Sequence, residues 1–349
     1  MRIAILPLTL AGLLSACATG PTVSPTAAEF PASVVTASFE TPVMASEGDS
    51  ADDPAIYIDA DGNGFIAVTD KQAGLYIYEL DGRLREFMPI GMINNVDLRE
   101  GFMFDGREQV LLVASNDEVN TIEVVLYDPA ANAFSRPNMP SISTGNLSPY
   151  GICLGRSDDG AFHAGLTTKA GIYEQHVLTA DNGVIGAGIV RRFSTGTQSE
   201  GCVFDDRTGR VYIAEEAGGL YGYDSAGEDT QTVIAKAGEY GTLADLEGVT
   251  VYEDGADGGY VIVSSQGNNS YAVFALPDLT FAGRFTIGDD VVDGVSTTDG
   301  IAATSTPTAM FPKGFLAVQD DMDDTSPSEP RKKQNIKVID WREIEAILK

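Results

Sequence analysis

A hairpin with polar ends returns six times along this chain, roughly every fifty residues, and that recurrence limits the fold more than any other feature. The six units are "DDPAIYIDADGNGFIAVTDK" from Asp52, "NNVDLREGFMFDGREQVLLVASN" from Asn94, "PYGICLGRSDDGAFHAGLTTK" from Pro149, "SEGCVFDDRTGRVYIAEE" from Ser199, "DLEGVTVYEDGADGGYVIVSSQ" from Asp245 and "TDGIAATSTPTAMFPKGFLAVQD" from Thr298. Each reads as a polar anchor, an apolar strand, a Gly/Asp turn, a second apolar strand and a polar terminus. The anchors Asp53, Asn95, Tyr150, Glu200, Glu247 and Asp299 are spaced by 42, 55, 50, 47 and 52 residues. Short strands at such a period predict an all-β chain folded as a β-propeller, one repeat per blade and therefore six blades. Outer strands follow each hairpin, as in "GLYIYELDGR" and "NTIEVVLYDP". Ring closure is expected between the strand-like segment Val34–Val43 and "NIKVID" near the end. Helical patterning is confined to Trp341–Lys349.

An antiparallel hairpin puts the start of its first strand beside the end of its second. Glu200 and Glu216 therefore share one end of their hairpin. The same logic gathers a rim on one face: Asp52, Asp53, Asn94, Tyr150, Glu200, Asp245, Glu247, Asp293 and Asp299 from first strands, and Lys71, Asn116, Lys169, Glu216, Gln266 and Asp320 from second strands. An isolated Asp at a turn usually caps it. Glu is no turn residue, so Glu200, Glu216 and Glu247 recurring with Asp245 point elsewhere. Carboxylates so crowded repel unless neutralised. Hard oxygen donors without His or Cys suit several Ca²⁺ ions better than zinc or copper. Metal ions beside Lys71 and Lys169 suit an anionic substrate.

The net charge of −29 argues against nucleic acid as a partner. The first residues read as a targeting segment: Arg2, an apolar run, then Leu14-Ser15-Ala16-Cys17, which fits a bacterial lipobox with Cys17 lipidated. An ordinary signal peptide or a short membrane anchor is the alternative. The expected organisation is a leader over 1–17, a flexible Pro/Ala/Thr tether over 18–30 and a propeller over 31–349, held at the cell envelope by the lipid and acting as a monomer. Asp320–Lys333 reads as an irregular surface loop. Cys153 and Cys202 follow anchors in neighbouring repeats and are expected as two separate buried thiols, although an export route permits a disulfide.

Other chemistries lack residues. His163 and His176 both fall within strands, and no phosphatase Arg-His-Gly signature, nucleophile elbow, P-loop or dinucleotide fingerprint is present. What remains is metal ions, carboxylates and lysines. The segments "ADDPAIYID", "NNVDLR", "EGCVFDD…GRVYIAEE", "DLEGVTVY", "SSQGNNSYAVF", "TDGI" and "QNIKV…W" closely resemble the β-propeller phytases, alkaline calcium-dependent enzymes of bacteria, from about Glu40 to Trp341. The resemblance implies a 3-phytase-type phosphomonoester hydrolase that acts on phytate, with Ca²⁺ ions binding the substrate phosphates and activating a bridging water for direct attack on phosphorus. It makes Glu40, Asp52, Asn94, Glu200, Glu216, Asp245, Glu247 and Asp299 catalytic calcium ligands. Asp53, Gln266, Asp320 and Asn335 become structural ones, Lys71 and Lys169 phosphate-binding lysines, and Tyr150 and Asn116 pocket residues. The chain departs from the family at Asp117, where an Arg is usual, at Gln72 and at Ala170. Two other classes fit a carboxylate-rimmed propeller: a metal-dependent lactonase or esterase, and a calcium-binding scaffold without turnover.

Overall fold

The computed structural model describes residues 29–227, 229–323 and 333–349. Cys17, the leader, most of the tether and the middle of the Asp320–Lys333 loop lie outside them. The described residues form six sheets, each a blade, antiparallel except for one strand added at the edge of the fifth. Their innermost strands are Ala51–Ile58, Val96–Phe104, Ile152–Arg156, Ser199–Asp205, Leu246–Asp254 and Ile301–Thr304, one from each repeat. The last blade is completed from the other end of the chain: Phe39–Glu40 pairs with Asn335–Asp340, with Phe39 opposite Val338 and Glu40 opposite Lys337. The expected N-terminal strand is in fact two. Ser33–Thr36 first runs parallel to the outer strand of blade five, Thr280–Gly288. The chain then crosses to blade six, so one short segment ties two blades together.

The strands read as nearly continuous apolar runs because each blade is covered on both faces. In blade one Phe65 and Ala67 face the second blade, while Ile66 and Val68 face the sixth. Alternate residues of one strand point to opposite faces, so a single run serves two interfaces. Six such apolar clusters sit between successive blades and together form the core. The C-terminal helix Trp341–Glu345 is capped by Asp340 and lays Trp341 on Tyr252 with ring centroids 3.5 Å apart.

At the inner ring the blades touch backbone to backbone. The residue after four of the anchors is glycine, and in each case a Cβ would collide with the next blade. Atoms added at Gly151, Gly201, Gly248 and Gly300 would lie 1.8, 2.2, 2.6 and 2.6 Å from the carbonyl oxygens of Glu200, Glu247, Asp299 and Asp52. Such approach is open only to glycine. Hydroxyl groups at the ends of second strands complete the stitching: Ser115, Thr167 and Ser264 donate to the carbonyls of Tyr150, Glu200 and Asp299 at 2.6, 2.7 and 2.9 Å.

This closeness corrects the reading of the cysteines. Cys153 and Cys202, on the inner strands of blades three and four, have Cα atoms 5.5 Å apart and form a disulfide. Their separation of 49 residues in sequence hides the fact that one repeat along the chain is one step around the ring.

Candidate active site

The anchors reach the axis because the inner strands are irregular there. Blades one, four and five carry a bulge at the top of the strand, between Ala51 and Pro54, Ser199 and Cys202, and Leu246 and Val249. A bulge turns an extra residue out of the ladder and re-aims its side chain. Asp52, Glu200 and Glu247 all lie inside these bulges. In blade four Ser199 faces Glu215, which brings Glu200 and Glu216 to one end of the hairpin as the sequence predicts.

Carboxylate oxygens of Glu200, Glu216 and Glu247 lie within 4.8 Å of one another. Asn94 donates from Nδ2 to Glu200 Oε1 at 2.8 Å. Asp52, fully buried, and Asp299 flank Lys71, whose Nζ is 2.9 Å from Asp52 Oδ1 and 3.7 Å from Asp299 Oδ2. Asp49, absent from the expected rim, adds a contact to Lys71 at 3.3 Å. Gln266 donates to Asp299 from its side chain and to the Asp245 carbonyl from its backbone N–H, so it orients the cluster.

The cluster holds more negative charge than its own cation balances. Burial, then the charge of Glu200, pushes Glu247 up to about 10. Burial also lifts Glu216 to about 7, with Glu200 and Asp245 adding to the shift. Burial lifts Asp299 to about 7 and Asp52 well above its usual range, in both cases against the pull of Lys71. Burial works against the charge on Lys71, but Asp52, Glu200 and Asp299 outweigh it and hold the ammonium protonated. Asp52 Oδ2 and Glu247 Oε2 are buried without a hydrogen-bond partner. Buried oxygens left bare, among carboxylates pushed toward protonation, fit a divalent cation, which would neutralise them.

Tyr150 and Lys169 lie side by side next to the cluster. Lys169 Nζ lies 4.3 Å from the centre of the Tyr150 ring and 3.2 Å from Asp117 Oδ2. Burial and Glu200 push the Tyr150 hydroxyl far up, so it stays protonated and can donate. Asn116 is buried and accepts from Val119 N at 3.2 Å, which shapes its own loop.

Other expected residues sit apart from this cluster. Asp53 turns away from it: Oδ2 accepts Val96 N at 3.1 Å and ties blade one to blade two. Glu40 groups with Asp293 and Asp323 rather than with Glu200. Its carboxylate is bonded to Asn335 at 3.2 Å and to Lys337, which also contacts Asp293 and lies 3.4 Å from Asp320. Lys337 is fully buried and was not expected; the sign of it is a single Lys inside the apolar run "NIKVID". Burial raises Asp320 to about 6 although Ser296 donates to it. The two histidines belong to blade three, where His176 Nε2 lies 3.1 Å from buried Glu174, a pairing inside the fold.

The Phytase family profile matches residues 2–349. A 3-phytase of Bacillus subtilis (strain 168) is 36% identical over 325 residues, covering 89% of this chain and 84% of the relative. A profile that runs almost end to end, together with a relative this similar along most of both lengths, shows that the chain belongs to the phytase family.

Proposed function

We propose that the chain hydrolyses phosphate monoesters of phytate, with Ca²⁺ held by the central carboxylates. The observation that carries this reading is the convergence of Glu200, Glu216 and Glu247 within 4.8 Å, beside bare oxygens of Asp52 and Glu247. Asp52, Glu200, Glu216, Asp245, Glu247 and Asp299, with the Asn94 amide, would hold the ions. Bound there, calcium would supply positive charge to neutralise phosphate oxygens and lower the pKa of water. The protein's own groups do the rest. Lys71, against Asp52 and Asp299, and Lys169, against Tyr150, bind phosphate oxygens. The Tyr150 hydroxyl donates to the same group. Glu216, grouped with Glu200 and Glu247, is placed to take a proton from an attacking water.

Six carboxylates around one axis also explain why no protein nucleophile is needed: charge stabilisation and orientation carry most of phosphoryl transfer. The Cys153–Cys202 disulfide supports the exported reading of the N-terminus, since such bonds persist in oxidising compartments. Ring closure by the chain's own strands supports a monomer.

The test is phosphate release from phytate by the purified protein with Ca²⁺, with EDTA, and by a Glu200→Gln variant. The expected result is release that needs Ca²⁺ and is lost by at least about a hundredfold in the variant, the scale of removing a group that acts in the transition state. Release undiminished by EDTA would sink the calcium reading. No release from folded, calcium-loaded protein would sink phytate as the substrate.

A further inference from the structure

Lys71 stands where a metal would. Its ammonium contacts Asp52 at 2.9 Å, Asp49 at 3.3 Å and Asp299 at 3.7 Å, and its side chain is only 17% exposed. Asp52 and Asp299 are two of the carboxylates assigned above to the cation. A lysine head is a compact positive charge, and a divalent ion bound to the same oxygens would lie within a few ångströms of it. Like charges at that distance, in a poorly solvated site, cannot both keep the same partners. Lys169 has no contact with Asp52 or Asp299 and pairs with Asp117 instead.

We propose that Lys71 is a built-in counter-ion that the divalent cation displaces, and that this displacement delivers its ammonium to the phosphate. The inference rests on the calcium reading above. Without metal, Lys71 neutralises Asp52 and keeps the emptied cluster from flying apart. On metal loading, Asp52 and Asp299 change partner and the ammonium is released toward the face of the cluster. A phosphate oxygen then replaces the carboxylates it has lost. Metal loading and substrate capture thereby become one exchange of ionic partners, and each favours the other, as linkage requires. Lys71 has two roles with opposite effects on the metal: it competes with calcium in the resting site and cooperates with it once phosphate is bound.

The test is calcium binding measured calorimetrically, without phosphate, on the purified protein and on its Lys71→Met variant, alongside phytate kinetics. Removing the competing charge is expected to tighten calcium binding about tenfold while kcat/KM for phytate falls by a similar factor or more. A lysine serving stability alone would lower the melting temperature equally with and without calcium and leave its affinity unchanged or weaker, and that result overturns the exchange. A second measurement needs no variant: amine modification of Lys71, read by mass spectrometry against the exposed Lys169, is expected to rise several-fold when calcium is added. Modification that stays level or drops overturns the proposal. Wild-type protein that binds no calcium overturns both this exchange and the reading beneath it, whereas normal wild-type binding with an unaltered variant overturns the exchange alone.

Discussion

The two ends of the inner strands carry the same kinds of acidic residue and treat them in opposite ways. Blade four shows this within a single strand, Ser199–Asp205. At its far end Asp206 is held by Arg99 at 2.9 Å, and Asp205 by Arg207 at 2.9 Å. Asp97 also pairs with Arg99, at 3.2 Å, and accepts Leu154 N at 2.7 Å. Each of these three acids has a guanidinium. At the near end, among the described residues, only Asp52 and Asp299 of the five acids Glu200, Glu216, Glu247, Asp52 and Asp299 lie within ion-pair distance of Lys71, and buried oxygens of Asp52 and Glu247 have no hydrogen-bond partner. Between the ends runs a polar channel of about 320 Å³ lined by inner-strand residues such as Asp53, Asp97 and Arg99. The far end is neutralised by the chain itself. The near end is not, and the cost of that charge is what a metal ion would relieve on binding.

The largest consequence of this contrast is a pH-dependent stability belonging to the near end alone. Glu216 and Asp299 are raised to about 7 and Glu247 to about 10, whereas in the unfolded chain such groups titrate near 4. Between those limits the folded state binds more protons than the unfolded one, so stability falls as pH rises. In the metal-free protein the melting temperature is expected to drop steadily from pH 5 to about 7 and to keep falling more slowly above it. Calcium bound there would favour the ionised carboxylates, so the stabilisation it gives should grow over the same range. Melting curves with and without EDTA measure this. A metal-free protein equally stable at both ends of that range would mean that the near end is balanced after all.

The far end makes the reverse prediction. Replacing Arg99 by Met leaves Asp97 and Asp206 without their shared partner. The Arg99 side chain is 23% exposed, so the loss is smaller than for a fully buried pair, about 2 kcal/mol in denaturant unfolding. Calcium affinity and kcat should stay as they are, because no residue of the near end touches Arg99. A fall in kcat without a fall in stability would show that the two ends are coupled through the channel.

Much of this contrast can be read from the sequence, for a physical reason. Blade register follows from apolar alternation, and a hairpin of known register fixes which of its ends meet; hence Glu200 with Glu216, and Lys71 with Asp52. The closed ring was legible in "NIKVID" for the same reason. Residues whose position depends on contact between blades were not. Cys153 and Cys202 look remote until a repeat is understood as a step around a circle. Asp53 and Asp52 are adjacent and alike in sequence, and only the bulge between Ala51 and Pro54 decides that one faces the cluster and the other the next blade. Glu40 was grouped with the central acids, yet its strand lies outermost in blade six, which leaves it with Lys337 and Asn335. Glycine after Tyr150, Glu200, Glu247 and Asp299 was the available sign of close blade contact.

Asp117 has a cation of its own in Lys169, outside the group that gathers on Lys71, and its replacement sharpens the comparison with the smallest effect. Lys169 is 55% exposed and Asp117 34%, at 3.2 Å. A pair this exposed contributes less than about 1 kcal/mol to stability. Its effect on substrate should be felt more than its effect on the fold, because a phosphate reaching Lys169 must share the ammonium with a carboxylate that also repels it. Asp117→Asn keeps the side-chain shape and removes that charge. KM for phytate is expected to fall two- to five-fold, roughly the factor that 1 kcal/mol or less provides, with kcat and melting temperature nearly unchanged. The gain should shrink at high salt, where exposed charges are screened. A higher KM, together with weaker calcium binding, would instead place Asp117 among the metal ligands and make the near end acidic without exception.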